Sequence, residues 1–294
     1  MVRCVVIGSG SPRLSLERAG ACYLALVGQP DHERGLLFDC GPGATLRLHQ
    51  GGFRSQRIDH VFLTHHHYDH IADLGHLALT RWDHTPCPTP LHVYGPPGTR
   101  RIVQALFGPG GAYEPDNRIR TEHPMGQSIF ASRGGTPPRP KPEILAHDVS
   151  HGAIAEAAPG SNGAAWCVHA GPASHAQPIA ESYSYRLTAA DRSIVFSGDT
   201  GECPELVDFA RGADTLVHMC CFFDDELERM NMVRSVAGPS LAGTAAAGAG
   251  VRKLVLTHPQ SEAVDSPAGI ERAIATAARY FSGEIVFAHD LLEI

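Results

Sequence analysis

The stretch of sequence that decides the fold reads Leu63-Thr64-His65-His66-His67-Tyr68-Asp69-His70. Residues 58–63 before it have the length and the β-branched or aromatic character of a buried strand, and residues 71–82 after it predict a helix. The loop between them holds four side chains that can bind a metal ion, namely His65, His67, Asp69 and His70. The sequence therefore predicts a metal site on a strand-to-helix loop.

The spacing of these side chains suggests two ions rather than one. Residues two apart in an extended segment point to the same side, so His65 and His67 can converge on one ion. Once the chain turns toward the helix, Asp69 and His70 can face a second ion. His66 lies between ligands and is expected to point away. Imidazole and carboxylate donors together suit zinc, with manganese, iron or nickel as alternatives.

This pattern resembles the HxHxDH signature of the metallo-β-lactamase fold superfamily, and four further stretches resemble its other motifs in the same order. Residues 35–41 (GLLFDCG) resemble the strand and Asp-x-Gly turn that precede the signature. His175, followed by residues 181–187 (ESYSYRL), resembles the third metal motif of the branch that contains ribonuclease Z and the arylsulfatase-like hydrolases. Residues 197–200 (SGDT) resemble the bridging-aspartate motif, and residues 254–258 (LVLTH) the last histidine motif.

The resemblance implies a ligand set for each ion. It assigns His65, His67 and His175 to one ion, Asp69, His70 and His258 to the other, and Asp199 to both. Asp199 and His258 each follow a short apolar strand, and strand ends are where a rigid scaffold gathers distant residues. Asp69, Asp199 and His258 are also the candidate catalytic residues. Asp39 is expected to orient a ligand imidazole, and His151 is an alternative to His175.

The implied chemistry is hydrolysis. Two zinc ions would bridge a water, lower its pKa toward neutrality and supply a metal-bound hydroxide as the nucleophile. The chain has no Ser-x-x-Lys or Gly-x-Ser-x-Gly motif that would offer a protein nucleophile. The same fold also occurs in flavodiiron proteins, whose sites resemble HxExDH, so His67 argues against that alternative. A mononuclear iron oxygenase and a non-catalytic binding module are the remaining alternatives, and the complete ligand set disfavours the latter.

Charge and two departures from ribonuclease Z shape the expected substrate. The net charge is −7, and lysine occurs only at Lys141 and Lys253, so the sequence shows no basic stripe for nucleic acid. Only two strands and a short turn join His175 to Asp199, which leaves no room for the tRNA-gripping arm of that family. Residues 236–240 (VAGPS) lack its additional histidine. We therefore expect a small-molecule substrate such as an ester, sulfate ester, lactone or cyclic phosphodiester, without nucleic acid. A ribonuclease Z-like phosphodiesterase is the alternative.

Strand-rich halves with interspersed helices predict two sheets packed face to face with helices outside. That arrangement is the four-layer αββα sandwich, of the α/β class, that the resemblance implies. Because the ligands come from both halves, we expect one domain over residues 1–294. Residues 108–143 are rich in Gly and Pro and are expected to form a long insertion without regular secondary structure, as a lid or a dimer contact. A homodimer is expected.

Cysteines and hydropathy suggest a cytoplasmic location. The eight cysteines include no CxxC pair, so we expect reduced thiols rather than disulfides or a zinc ribbon. No apolar run reaches 18 residues, and the first residues read as a strand rather than a signal peptide. We therefore expect no membrane association. Residues 156–163 are expected to turn a hairpin.

Overall fold

The computed structural model describes residues 2–29, 33–158, 164–189 and 192–294. Two sheets pack face to face, and helices cover both outer sides, so the predicted αββα sandwich is confirmed. The strands of the first sheet lie in chain order, and they are β1 (Val2–Gly8), β2 (Cys22–Val27), β3 (Arg34–Phe38), β4 (Ile58–Phe62), β5 (Leu91–Gly95) and β6 (Ile144–Asp148).

The second sheet has the order β13-β12-β11-β10-β9-β8-β7. Its strands are β7 (Gly152–Ala157), β8 (Trp166–Pro172), β9 (Tyr183–Ala189), β10 (Arg192–Phe196), β11 (Thr215–Met219), β12 (Lys253–Thr257) and β13 (Glu284–Phe287). Strands β3 to β6 run parallel, and so do β10 to β13, whereas the other neighbours are antiparallel. Each sheet therefore has a parallel half whose carboxyl strand ends can carry functional loops.

Helices form the two outer layers. They are α1 (Ala44–Gln50), α2 (Tyr68–Ile71), α3 (Leu74–Asp83), α4 (Thr99–Phe107), α5 (Glu114–Glu122), α6 (Pro124–Ser132), α7 (Pro204–Ala210), α8 (Asp224–Met230), α9 (Pro239–Ala249) and α10 (Pro267–Ala277), with a 3₁₀ helix at Ser55–Arg57. Helices α1, α3 and α4 pack on the first sheet, and α7, α9 and α10 pack on the second. In the described part of the chain, no helix is long and apolar enough to cross a membrane.

Aromatic rings hold the two sheets together. Phe38 of the first sheet stacks on Phe196 of the second with ring centroids 4.2 Å apart, and Phe62 lies 5.1 Å from Phe38. All three side chains are buried. Burying each such ring contributes about 1.5–3 kcal/mol. These rings lie near the strand ends that carry the predicted ligands, so the packing that joins the sheets also positions the site.

The predicted helix over residues 71–82 is divided in the structure. Helix α2 ends at Ile71 and α3 begins at Leu74. Between them the backbone N–H of Asp73 donates to the Cys40 carbonyl oxygen at 3.0 Å, and the Asp73 carboxylate accepts from the Thr45 N–H. These bonds to other segments compete with helical hydrogen bonds, which explains the break.

The expectation that residues 108–143 lack regular secondary structure is wrong, because α5 and α6 lie within them. Proline occurs in the first turn of both helices, at Pro115 and Pro124, where its missing N–H costs nothing. Arg118 and Glu122 form an i, i+4 ion pair that supports α5. The proline content was therefore a signal for helix starts. The hairpin expected at residues 156–163 falls largely on residues 159–163, which lie outside the described residues, although β7 and β8 do pair antiparallel.

Candidate metal centre

Three strand ends and one loop bring the seven predicted ligands together. The first four follow β4, Asp199 follows β10, His258 follows β12, and His175 lies between β8 and β9. Because β4, β10 and β12 belong to the parallel halves of the sheets, their carboxyl ends reach one edge of the sandwich. The structure gathers the predicted residues into two adjoining groups, His65, His67, His175 and Asp199 in one and Asp69, His70 and His258 in the other.

The first group has the spacing of donors around one ion. Nε2 of His65 lies 2.9 Å from Nδ1 of His67, and Nε2 of His175 lies 3.2 Å from the same nitrogen. Oδ2 of Asp199 lies 3.7 Å from Nε2 of His175 and 4.0 Å from Nε2 of His65. Tetrahedral donors at zinc distances lie about 3.3 Å apart. The four residues could therefore hold one ion.

The second group shares Asp199 with the first. Oδ2 of Asp69 lies 3.5 Å from Nε2 of both His70 and His258. Oδ1 of Asp199 lies 3.4 Å from Nε2 of His70, and its Oδ2 lies 3.3 Å from Nε2 of His258. The Asp199 carboxylate thus contacts histidines of both groups, which is the position that a bridging ligand requires.

Asp39 orients two of these histidines. Its Oδ2 lies 2.8 Å from Nδ1 of His70, and its carboxylate also accepts from the N–H and the hydroxyl of Thr64. Because the Thr64 hydroxyl donates to Asp39, its oxygen accepts from Nδ1 of His65, 3.0 Å away. Both imidazoles therefore keep their protons on Nδ1 and turn Nε2 toward the centre. This contact is the role expected for Asp39, and Thr64 is a partner that sequence reasoning missed.

His175 is oriented by a different loop. Its Nδ1 lies 2.6 Å from the backbone carbonyl oxygen of Ser235, which can only accept, so Nδ1 carries a proton and Nε2 faces the centre. The neighbouring Ser174 hydroxyl donates to the Arg234 carbonyl oxygen at 3.2 Å. No sequence motif marked Ser235, because a backbone carbonyl leaves no signature in residue type.

Backbone geometry at the site is unusual at three positions. Asp39 has φ 58° and His258 has φ 68°, both in the left-handed region that few side chains adopt. Gly198 has φ 59°, and a Cβ there would lie 2.8 Å from Cβ of Thr64. Glycine is therefore required immediately before Asp199. Strain of this kind persists only where surrounding structure enforces it, and it is typical of functional sites.

Burial and mutual charge shift the ionisation of the cluster. Burial lowers the pKa of His65 well below its ordinary value, and the nearby His70 lowers it further. Burial opposes the charge on His70 too, but the Asp39 and Asp199 carboxylates outweigh it and raise the pKa of His70 well above the usual range. For Asp199, burial is outweighed by His258 and His70, which hold the pKa of this carboxyl well below its usual range.

Several buried polar atoms in the cluster have no hydrogen-bond partner within the described structure. They include both carboxylate oxygens of Asp69 and Nε2 of His70. A buried polar atom without a partner costs about 1–3 kcal/mol, and more when it is charged. A cation between Asp69 and His70 would satisfy these atoms, so the residues present fit a metal ion.

His66 and His151 lie outside the two groups. Nε2 of His66 lies 2.9 Å from the Thr99 hydroxyl, so His66 points away from the cluster as expected. His151 is exposed and its ring packs on Tyr183. It does not replace His175 in the cluster.

Comparison with known proteins agrees with the fold and the site. Residues 34–259 match the family described as Beta-lactamase superfamily domain. The chain therefore belongs to the metallo-β-lactamase superfamily and is a hydrolase of that superfamily. A protein of Mycobacterium sp. (strain KMS) named Ribonuclease Z is 34% identical over 269 residues, 88% of this chain and 84% of the relative. Another Ribonuclease Z, from Mycobacterium bovis (strain BCG / Pasteur 1173P2), is 31% identical and covers 99% of this chain and 97% of its own.

Solved structures show the same fold. The metallo-β-lactamase fold protein YhfI from Bacillus subtilis matches with a TM-score of 0.72 and 21% identity, over 100% of this chain and 98% of its own. The short form of human tRNase Z matches with a TM-score of 0.65 and 17% identity over the same shares. The superfamily and the His/Asp cluster together indicate a divalent metal ion.

The expectation of a small-molecule substrate without nucleic acid is wrong. The curated relatives of this chain are named Ribonuclease Z, and the matches cover 84% and 97% of the two relatives. The chain does connect β9 directly to β10, and Ala237 is a buried residue in the segment that lacks the additional histidine. Net charge and one missing arm do not describe how cations are distributed on the folded surface.

Proposed function

We propose that this protein is a ribonuclease Z-like phosphodiesterase that cleaves a precursor RNA, with tRNA precursors as the first candidates. The observation that carries the proposal is the Asp199 carboxylate, which contacts histidines of both donor groups at 3.3–4.0 Å. The ribonuclease Z relatives support RNA as the substrate and favour hydrolysis over the oxygenase alternative.

We propose that the protein binds two divalent ions, and the chemistry of the donor set favours zinc. One ion would be held by His65, His67 and His175, and the other by Asp69, His70 and His258. When bound, such a pair supplies an activated water and stabilises charge on the phosphate oxygens. Asp199 would bind both ions, and Asp69 and His258 would complete the catalytic set.

The protein's own residues determine from which side the substrate reaches the centre. His67 is exposed and His175 is partly exposed, whereas His65, Asp69, His70, Asp199 and His258 are buried. The phosphodiester therefore approaches on the side of His67 and His175. Asp39 and Ser235 hold the imidazoles in fixed orientations, which keeps the donor groups preorganised for the reaction.

The test compares the zinc-loaded wild type with the Asp199→Ala variant in the cleavage of a precursor tRNA that has a 3′ trailer. We expect cleavage by the wild type and a loss of both metal content and cleavage in the variant. A mature tRNA and a chromogenic phosphodiester serve as comparison substrates. A fully metal-loaded wild type that cleaves neither the precursor nor the chromogenic diester would overturn the proposal.

A further inference from the structure

A cleft outside the metal centre gathers cationic side chains on the outer face of the first sheet. It lies between α1, the 3₁₀ helix and α3, and its volume is about 770 Å³. Side chains from all three elements line it, and five of them can carry positive charge, namely His49, Arg54, Arg57, His76 and His84. No aspartate or glutamate is among the residues that line it. We call it the α1–α3 cleft.

The charge of the α1–α3 cleft is not cancelled by its surroundings. Asp59, the acidic residue nearest to Arg57 in the chain, pairs instead with Arg34 at 3.1 Å and Arg81 at 2.6 Å. Within the described ranges, neither Arg54 nor Arg57 lies within 4 Å of a carboxylate. Of these five residues, His76 does contact an acid, with Nδ1 3.3 Å from Oδ1 of Asp73.

The cleft begins close to the metal centre. His76 lies in the first turn of α3, six residues after His70 in the chain. The two places are also joined by hydrogen bonds, since the Cys40 N–H donates to the His70 carbonyl oxygen and the Thr45 N–H donates to Asp73. From His76 to His84 the cleft extends about 12 Å along α3. That length corresponds to about three phosphates of one strand of a duplex, at about 3.4 Å of rise along the duplex axis each.

We propose that the α1–α3 cleft binds backbone phosphates of the RNA substrate at a distance from the scissile bond. The proposal rests on the proposed function, because it takes the RNA as the source of the phosphates. Arginine suits this role since its guanidinium binds phosphate through two parallel N–H bonds, and imidazole N–H groups can add further donors. An acidic chain of net charge −7 can bind RNA in this way because the cations are concentrated where the acidic residues are not.

The double variant Arg54→Gln/Arg57→Gln tests the proposal, with Arg279→Gln as the matched control. Arg279 is an exposed arginine beyond the end of α10, on the opposite outer layer. For the double variant we expect Kd for precursor tRNA to rise about tenfold, and the slope of log Kd against log salt to fall by about 2. The control should change neither. Arg54→Lys/Arg57→Lys should recover most of the affinity, which separates loss of charge from misfolding.

Two comparisons separate the cleft from the metal centre. The double variant should raise KM for precursor tRNA but keep kcat/KM for a small chromogenic phosphodiester within about twofold, since that molecule spans less than one nucleotide. If the wild type cleaves the precursor and the double variant binds and cleaves it equally well at every salt concentration, the cleft has no role and the proposed function stands. Inorganic phosphate at low millimolar concentration should weaken precursor binding by the wild type more than by the double variant, and phosphate that binds at the cleft without weakening precursor binding would make the cleft a small-anion site rather than an RNA surface.

Discussion

Asp39 and His70 form a buried pair in which Oδ2 of the carboxylate lies 2.8 Å from Nδ1 of the imidazole. Both side chains are almost fully buried. The same carboxylate accepts two hydrogen bonds from Thr64, which in turn contacts His65. One aspartate at the end of β3 thus fixes a histidine in each donor group, and its removal should affect both.

The Asp39→Asn variant tests this arrangement. Asparagine tolerates the left-handed backbone of residue 39 as well as aspartate does, so the change removes charge without adding strain. We expect metal affinity to fall about tenfold to hundredfold, as is usual when the partner of a ligand histidine is lost. Titration with a competing chelator measures it. Unchanged affinity for both ions would show that Asp39 only stabilises the turn.

The buried Asp69 carboxylate leads to a prediction about the melting temperature. Its two oxygens lack hydrogen-bond partners, although Oδ2 lies 3.5 Å from Nε2 of both His70 and His258, so a bound cation should stabilise this buried carboxylate. In the wild type, metal at a hundredfold excess over Kd should raise Tm by about 5–10 °C. Asp69→Asn should melt at or above the chelated wild type and respond little to metal, whereas the exposed Asp208→Asn should behave as wild type. A chelated Asp69→Asn protein that is much less stable than chelated wild type would contradict a metal-binding role.

His175 and His151 provide a matched pair of substitutions. Nε2 of His175 lies 3.2 Å from Nδ1 of His67, whereas the exposed His151 packs on Tyr183 outside the two groups. His175→Ala should lower metal content and activity together. His151→Ala should keep both within about twofold, because substitutions at exposed residues away from a functional site usually have small effects. Elemental analysis and phosphodiester turnover measure the two. The reverse result would assign the ligand to His151.

Asp83 anchors the insertion that contains α5 and α6. Its carboxylate lies 2.6–2.9 Å from the guanidinium groups of Arg120, Arg133 and Arg139. The Arg139 side chain is buried and its guanidinium lies 3.9 Å from the ring centre of Trp82. Asp83→Asn should lower the free energy of unfolding by about 2–4 kcal/mol, because it leaves a buried cation without its partner. Asp116→Asn, which affects an exposed pair, should cost about 0.5 kcal/mol or less.

The Asp83 contribution should depend on pH in a defined window. Burial raises the pKa of this carboxyl, but hydrogen bonds from Arg133 and Arg139 outweigh it and lower the pKa to about 2. A depressed folded-state pKa gives stability that is complete above the unfolded value, about 4, and is lost as pH falls toward 2. Urea titrations of wild type and Asp83→Asn should therefore differ at pH 6 and converge near pH 2. A constant difference across that range would assign the effect to packing instead.

The insertion itself is predicted to shape substrate access within a single catalytic domain. Its Tyr113 packs closely on Gly75 in the first turn of α3, a few residues from the metal-binding loop. Replacing residues 113–140 with a short Gly-Ser linker should leave metal content per folded molecule intact, because all seven predicted ligands lie outside the segment. KM for precursor tRNA should change. Identical RNA kinetics before and after the replacement would identify the segment as a tolerated surface feature.

Local patterns in the sequence were enough for the strand before His65 and for the first four candidate ligands. The apolar run before His65 and the two-residue spacing of His65 and His67 act over a few residues, so strand, loop and direction follow from chain geometry alone. Gly and Pro content alone predicts a loop over residues 108–143, whereas Pro115 and Pro124 lie in the first turns of α5 and α6.

The sequence by itself determined the class of fold and the set of donors, because both depend on residue type and short-range periodicity. Only the tertiary structure decided which imidazole nitrogen faces the centre, since contacts from Asp39 and the Ser235 carbonyl select it. The tertiary structure also decided where positively charged side chains gather on the surface. Arg54 and His84 are thirty residues apart in an acidic chain, and they line one cleft because α1, the 3₁₀ helix and α3 pack side by side on the first sheet. Charge adds along a sequence without regard to position, whereas phosphate binding depends on distances that only packing sets.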